Sequence, residues 1–488
     1  MFDTNSDAEV VDAITAASRA ESAAIAARLA AIGELDRRRE AELAETIYLT
    51  TDPFEAVTAE LSAALRISRG RAGTQIRHAR ALRDRFPQVA ALLAAGVIDY
   101  RLVITILTRT VTVTDAVCAD LDAALARHAG TWMRLSEKKL IDRIDYWIAT
   151  LDPHGVRVPP PVEHGRHLTI EPGTTAGMAT IWGHVHTGDA AAFTQQLDAL
   201  ADTVCEHDPR TRDQRRADAL GPLARRQTHL PCRCERPDCP TTGRHTAATA
   251  AVIHVFAHQS TLTNNTATGN EPGYLPGLGI LPAEAVRDLA AGTPTGTAPA
   301  AVKPIVLPDP QAAPEPGYRP SASLTQFVSL RDLTCRWPGC DAPAARCDVD
   351  HTVPHPHGPT HPSNLKNYCR THHLIKTFTP GWTDRQHPDG TIEFTAPTGH
   401  TYTTTPHGAA LFPALGHPTG HLDLSEPPPA PGPGRDLKAP RRRRTREHDR
   451  QQRIADERRL RAELNNDLDV EHQYQIWLDE TYGPAPPF

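Results

Sequence analysis

The stretch CRWPGCDAPAARCDVDHTVPHPHGPTHPSNLKNYCRTHH, residues 335–373, contains two separable sets of metal-binding side chains. The first set is a Cys-x4-Cys pair followed by a later Cys-x2-His, and it consists of Cys335, Cys340, Cys369 and His372. Structural zinc takes four thiolate or imidazole ligands, usually as two pairs held by tight turns. The spacing therefore predicts a closed zinc site, in which Cys347 is a fifth candidate that could replace one of the four.

The second set consists of Asp350, His351, Asn364 and His373. Hydrolysis of a phosphodiester needs an activated water and a cation that stabilises charge on the phosphate and on the leaving oxygen. Asp350 can bind a divalent cation through oxygen, and His373 can complete the cation site from the start of a helix. His351 can act as general base on the water, while Asn364 can hold the loop and orient that base.

In the order C-x4-C, D-H-x-x-P, N-L and C-x-x-H-H, these residues resemble the zinc-stapled form of the HNH endonucleases, which have the ββα-metal fold. The resemblance implies that Asp350 and His373 are ligands of Mg²⁺ or another divalent cation. It also implies that His351 is the general base and that Asn364 is the middle letter of the motif. The function expected from it is metal-dependent hydrolysis of DNA phosphodiester bonds, with zinc as a structural cofactor and DNA as the partner.

Two departures from the family pattern leave alternatives open. His372 stands where many relatives have a second cysteine, although imidazole is an equally competent zinc ligand. His355 stands where an aromatic residue is expected, so His355 or His357 could compete for the cation. The alternative function is a catalytically inactive, zinc-stapled DNA-binding or assembly protein, and the complete catalytic set argues against it.

A second group of cysteines precedes this stretch, in PCRCERPDCPTTGRH. Its Cys-x-Cys-x4-Cys spacing could close a further small zinc site, for which the candidate ligands are Cys232, Cys234, Cys239 and His245. Inert or reactive loop thiols are the alternative interpretation.

Composition excludes several classes of protein. The 488 residues include nine cysteines, and the N-terminal MFDTNSDAEV is acidic and lacks the pattern of a secretory signal. Clustered cysteines without an export signal indicate metal ligation rather than disulfides. No apolar run is long enough to span a membrane, so we expect a cytoplasmic protein with no membrane partner and no organic cofactor. The net charge of −6 does not by itself indicate a nucleic-acid binder, although a local basic surface would suffice.

The predicted fold is multidomain, with a mainly helical N-terminal region and small α+β segments. Residues 1–230 form the helical part, with a β-hairpin near 166–186, and residues 231–320 form a Cys-cluster and linker region with a strand near 250–257. The segment HARALRDRFPQVAALLAAGVID, residues 78–99, resembles the uncharacterised helical domain that precedes HNH modules in repeat-encoded actinobacterial proteins. Residues 321–402 are the HNH-like module, and 403–488 form a Pro-rich linker and a charged helical tail that contains Arg441–Arg444.

Overall fold

A computed structural model describes residues 5–158, 166–185, 187–241, 255–263, 270–276, 278–291, 301–422 and 434–482. Over these residues the chain is mainly helical with small antiparallel sheets, as the sequence predicts. It separates into two compact units. Unit 1 consists of Met1–Pro159, Pro308–Ala410 and Gly416–Phe488, and unit 2 consists of Pro160–Leu307 and Leu411–Leu415.

Unit 1 begins with a series of helices, which are α1 (Asp7–Glu42), α2 (Pro53–Leu65), α3 (Arg69–Asp84), α4 (Pro87–Ala94), α5 (Tyr100–Arg109), α6 (Asp115–Trp132) and α7 (Glu137–Leu151). Local sequence sets their ends. The side chain of Asp52 accepts a hydrogen bond from the backbone amide of Glu55 and so caps α2. Pro87 starts α4, and Gly96 ends the following turn with a φ of +67°. Pro87 and Gly96 therefore interrupt the helical series.

The core of these helices is mainly aliphatic, and it also contains the buried aromatic residues Phe86 and Trp132. Its fully buried members come from every helix, and they include Leu29, Val57, Ile76, Leu93, Leu102, Leu125 and Ile144. Small residues such as Ala72 and Ala129 lie between them and let neighbouring helices approach closely.

Unit 2 contains short elements. The strands are β1 (His167–Pro172), β2 (Ala179–His184), β3 (Gly273–Leu275) and β4 (Gly279–Leu281), and the helices are α8 (Thr187–Ala201), α9 (Arg212–Ala224), α10 (Gln259–Thr263) and α11 (Ala283–Ala291). The hairpin predicted near 166–186 is confirmed as β1 paired antiparallel with β2. The strand predicted at 250–257 falls partly outside the described residues, and its described part forms only an isolated bridge between Phe256 and Tyr274.

The chain then returns to unit 1 and forms a compact arrangement of short elements. These are α12 (Ala322–Asp332), β5 (Cys347–His351), β6 (Leu365–Cys369), α13 (Arg370–Phe378), β7 (Thr383–Gln386), β8 (Ile392–Thr395), β9 (Thr401–Thr404) and α14 (His407–Leu411). Strands β5 and β6 form an antiparallel hairpin in which Cys347 faces Cys369 and Asp350 faces Lys366. Helix α13 follows β6 without a break, so the hairpin and the helix are continuous.

The tail ends in a long charged helix, α15 (Arg446–Tyr482), as the sequence predicts. Before it, Arg441 forms an isolated bridge with Leu49. Within α15, Arg458 donates to both carboxylate oxygens of Asp152, at 2.7 and 3.0 Å, and so ties the helix to the end of α7. Most of the predicted Pro-rich linker lies outside the described residues. Over the part of the chain that is described, no helix has the length and apolarity needed to cross a membrane.

Candidate metal centres

Four side chains of residues 335–373 meet at one point in unit 1, and we call them the C-terminal cluster: Cys335, Cys340, Cys369 and His372. Their ligand atoms all lie within 4.8 Å of one another. His372 Nδ1 is 3.3 Å from the sulfur of Cys369 and 3.6 Å from that of Cys335. Ligand atoms in a tetrahedral site with Zn–S bonds of about 2.3 Å lie about 3.8 Å apart. The donors and their spacing fit zinc, and the predicted metal-binding group is confirmed as a cluster that could hold an ion.

The first two ligands of the C-terminal cluster lie on a tight turn. The amide of Cys335 donates to the carbonyl of Ala342 at 2.8 Å, which closes the turn. Gly339 has a φ of +76°, and a Cβ atom there would lie 2.5 Å from the carbonyl oxygen of Ile67. Both the positive φ and the close approach to Ile67 require glycine at this position. The turn therefore lies directly against the C-terminal end of α2.

Aromatic side chains pack around the C-terminal cluster. The ring of Trp337 stacks on His372 with a centroid separation of 4.9 Å and an interplanar angle of 4°. Trp382 and Phe394 contact the same indole at 4.5 and 5.5 Å. This packing holds the imidazole in one orientation, which a metal ligand requires.

Cys347, the fifth candidate from sequence, lies beside the C-terminal cluster but is not a member of it. Its thiol is directed at two backbone carbonyls, at 3.3 Å from that of Pro343 and 3.6 Å from that of Ala342. The geometry therefore favours His372 over Cys347 as the fourth ligand.

The hairpin and helix bring a histidine between two carboxylates. Asp348 and Asp350 are two residues apart on β5 and therefore share one face of the strand. His373 on α13 lies with Nδ1 at 2.9 Å from Asp348 and Nε2 at 3.3 Å from Asp350. These two carboxylates raise the pKa of His373, the effect of Asp350 being the larger. When Nδ1–H donates to Asp348, the lone pair of Nε2 faces Asp350, which suits a cation shared by Asp350 and His373.

Two lysines lie on the other side of Asp350. Lys376 Nζ is 2.6 Å from one Asp350 oxygen, and the fully buried Lys366 ammonium is 3.6 Å away. Burial would raise the pKa of Asp350, but these ammonium groups outweigh it and hold the pKa well below its usual range. Asp384 pairs with Lys366 at 3.0 Å. The candidate cation ligand is therefore ionised, and positive charge surrounds it.

His351 ends strand β5 and has separate partners. Its Nε2 lies 2.9 Å from the hydroxyl oxygen of Thr360, whose own proton is directed to the carbonyl of Gly317 at 2.5 Å. The Thr360 oxygen consequently accepts from Nε2–H, which leaves the lone pair of His351 on Nδ1. Tyr318 stacks on the imidazole at 5.3 Å. Burial lowers the pKa of His351 to about 4, so the ring is neutral near pH 7.

Asn364 closes the loop that follows β5. Its amide oxygen accepts from the backbone N–H of Val353 at 2.8 Å, and its amide nitrogen donates to the carbonyls of Val353 and Pro359 at 3.0 and 2.9 Å. Gly358 lies inside the loop, where a Cβ would be 2.6 Å from the Asn364 amide. Asn364 therefore holds the two ends of the loop together. His355 lies in this loop with its ring 6.0 Å from that of His351.

Unit 2 contains a second group of metal-ligating side chains, which we call the central cluster: Cys205, Cys232, Cys234 and Cys239. The structure brings together the three cysteines that the sequence indicates. The fourth ligand atom comes from Cys205, in the turn after α8, and its sulfur is 3.5 Å from that of Cys232. His245, the fourth ligand suggested by sequence, lies outside the described residues.

The comparisons with known proteins identify the family. A family model described as a domain of unknown function, DUF222, matches residues 16–332, which is more than half of the chain. The chain belongs to the DUF222 family. The matched region includes the N-terminal helices and the central cluster and ends three residues before Cys335.

Relatives of this DUF222 protein extend beyond the matched domain. The uncharacterized protein Rv3776 of Mycobacterium tuberculosis is 44% identical over 475 residues, which cover 93% of this chain and 90% of the relative. The uncharacterized protein Rv2100 of the same species is 43% identical over 491 residues, covering 93% and 88%. No solved structure matches the DUF222 protein.

Sequence reasoning missed several residues around the candidate sites of this DUF222 protein. Asp348 and Lys376 carried a usable signal, since they lie two residues before Asp350 and one helical turn after His373. Lys366 faces Asp350 across the hairpin, which only the strand register reveals. Thr360 and Cys205 reach their partners through loops, and no spacing in the sequence indicates them.

Proposed function

We propose that this protein is a metal-dependent endonuclease that hydrolyses DNA phosphodiester bonds, and that β5, β6 and α13 are a zinc-stapled ββα-metal module of the HNH type. The observation that carries the proposal is the position of His373 between Asp348 and Asp350, at 2.9 and 3.3 Å. An ionised, partly buried carboxylate opposite an oriented imidazole supports the proposal, because these donors suit a divalent cation.

Asp350 and His373 would hold the cation, which when bound would stabilise negative charge on the phosphate and on the leaving 3′ oxygen. Asp348 orients His373 by accepting from its Nδ1. Lys376, at 2.6 Å from Asp350, adds a positive charge that can attract the DNA phosphate. Both aspartates and His373 come from adjoining elements, so the hairpin and α13 fix their relative positions.

His351 would accept a proton from the attacking water. Its Nε2–H is used by Thr360, so the free lone pair is on Nδ1. Because burial lowers its pKa to about 4, the ring is unprotonated at neutral pH. Asn364 fixes the loop that begins next to His351, and Tyr318 supports the ring by stacking. These contacts keep the base in one orientation.

A basic segment lies close to α13 and suits the DNA backbone. Residues Asp436–Lys438 contact α13, and the arginine run Arg441–Arg444 follows directly. Arg441, Arg443 and Arg444 are exposed, as is Arg370 on α13 itself. Exposed arginines of this segment and of α13 can bind phosphates without regard to base sequence.

The test is nicking of supercoiled plasmid by the full chain in Mg²⁺ or Mn²⁺. We expect activity that a chelator of divalent ions removes, and a loss of roughly 100-fold or more in His373→Ala. His400→Ala is the matched control, since His400 is exposed on the turn between β8 and β9 and pairs only locally with Thr398. That variant should cleave like the wild type.

Salt-sensitive DNA binding without cleavage in any divalent metal, from protein that retains its zinc, would overturn the proposal. It would favour a zinc-stapled DNA-binding or assembly protein instead. Equal cleavage by His373→Ala and wild type would also contradict the proposed cation site.

A further inference from the structure

We propose that the central cluster binds a structural zinc ion through four thiolates, with Cys205 as the fourth ligand, and that this ion orders the segment from Cys205 to Cys239. The site lies in unit 2 and is separate from the residues proposed for nuclease activity. It therefore adds a metal centre to the molecule whatever unit 1 does.

The sulfur positions fit a tetrahedral ion. All four ligand atoms lie within 4.8 Å of one another, and the Cys205–Cys232 separation is 3.5 Å. Four sulfurs around one zinc ion lie about 3.8 Å apart, whereas a disulfide requires about 2.05 Å. None of the four cysteines forms a disulfide bond in the structure. Four thiols converging at this spacing form a standard structural zinc ligand set.

Polar contacts fix Cys205 against the segment that carries the other three ligands. The amide of Leu230 donates to the hydroxyl of Thr203 at 2.8 Å, and the amide of Arg233 donates to buried Asp208 at 2.9 Å. Arg210 joins the same place by donating to the carbonyl of Pro231 at 2.7 Å. These contacts on both sides of Cys205 position its sulfur, although Cys232 is 27 residues away.

Little apolar surface is buried near the central cluster among the described residues. The hydrophobic cluster there has three buried members, Leu197, Leu200 and Ala219. Residues 227–241, all of them described, form turns but neither helix nor strand. Zinc binding would add folding free energy to this segment, because the thiols are brought together only when the segment is folded.

The test is the zinc content of the full chain, measured in a His373→Ala background so that the candidate cation site takes no zinc. We expect two zinc ions per chain, and one after Cys205→Ser. Cys118→Ser is the control, since Cys118 is buried between helices of unit 1 and donates to the carbonyl of Thr114. This control should retain two ions.

X-ray absorption at the zinc edge tests the ligands without relying on a Cys205 variant that folds. Seven sulfur and one imidazole nitrogen ligands over two ions are expected, because one site has four thiolates and the other has three. Six sulfurs with two nitrogens, and loss of an ion in His245→Ala, would overturn the assignment of Cys205. One zinc per chain in the parent protein would overturn the site altogether. Neither measurement uses DNA cleavage, so failure of the proposed function would not affect the result.

Discussion

The C-terminal cluster and the central cluster have nearly the same donors but very different surroundings. Aromatic rings pack around the C-terminal cluster, and the hairpin and helix that it joins carry Asp350 and His373. The central cluster joins a turn to a segment of irregular structure over a small core. Its charged neighbours, Asp208 and Arg210, pair with each other at 2.7 Å.

This difference implies that a structural metal site does not by itself indicate a function. A cluster of cysteines can order any short segment, and the chemistry depends on the acidic and basic groups that the ordered segment presents. Near the C-terminal cluster, His351, Asp350 and His373 have partners that orient them and leave a nitrogen lone pair or a carboxylate oxygen for a reaction. Near the central cluster, Asp208 and Arg210 pair with each other and bind backbone groups of the segment that carries the ligands.

The largest expected effect is the loss of the C-terminal cluster. Cys369→Ser should lose one zinc ion and unfold β5, β6 and α13, because a structural zinc contributes on the order of 10 kcal/mol to folding. Zinc analysis and hydrogen exchange of residues 335–378 measure this. Cys347→Ser is the matched control, since Cys347 is on the same hairpin outside the cluster and should keep both zinc and protection. If Cys347→Ser loses zinc and Cys369→Ser does not, the ligand assignment is wrong.

A smaller effect is expected from removing a buried carboxylate near each cluster, and the loss of folding free energy should differ between the two. Asp332 is fully buried and accepts from Arg331, Arg336 and the amide of Asn367, so Asp332→Ala should cost about 3–5 kcal/mol by leaving buried guanidinium groups without their carboxylate. Asp208→Ala in unit 2 should cost less, about 2 kcal/mol, because Arg210 keeps Asp218 at 2.7 Å. Denaturant unfolding followed by hydrogen exchange in each unit gives both values. Equal costs would contradict the contrast in packing.

A finer comparison is between Gly339, in the turn of the C-terminal cluster, and Gly399, in another turn with a similar backbone angle. Gly339→Ala should lower the free energy of unfolding by about 2–3 kcal/mol, since φ is +76° and the added Cβ meets the backbone of α2. Gly399→Ala, with φ of +80° and open space, should cost only about 1 kcal/mol. Thermal or denaturant unfolding of the two variants checks the difference. A Gly339→Ala protein as stable as Gly399→Ala would argue against close contact between the turn and α2.

The smallest effect concerns charge near the C-terminal cluster. Replacing the exposed Arg441, Arg443 and Arg444 by Ala should weaken DNA binding and reduce the slope of log K against log salt by roughly 2–3, because each phosphate contact contributes about 0.9. Arg37→Ala with Arg38→Ala, exposed on α1 and paired to Glu34, is the control and should leave the slope unchanged. Filter binding at several salt concentrations measures both. Parallel slopes for the arginine-run variant and the wild type would remove this segment from the DNA interface.

The sequence was informative where a single short stretch contains the whole pattern. Cys335, Cys340, Cys369 and His372 could be grouped from spacing alone. The hairpin of β1 and β2 was similarly evident from alternation of β-branched residues. In these cases the interactions that decide the structure join residues close together in the chain.

The remainder depends on contacts between distant segments. Cys205 joins the central cluster only because α8 and α9 turn the chain back on itself, and Thr360 reaches His351 only because Asn364 closes the intervening loop. The division into two units follows the return of residues 308–410 to the N-terminal helices, which no local pattern predicts. The nuclease activity itself stays a prediction.

The proposed nuclease site beside the C-terminal cluster is tested most directly by one paired measurement, which is the single-turnover rate of plasmid nicking in Mn²⁺ together with zinc content, for wild type and His351→Ala. We predict that the wild type nicks DNA and that His351→Ala loses roughly 10²–10⁴-fold in rate while it keeps its zinc. A wild type that holds its zinc and does not nick DNA would contradict this prediction. An unchanged rate in His351→Ala would do so equally.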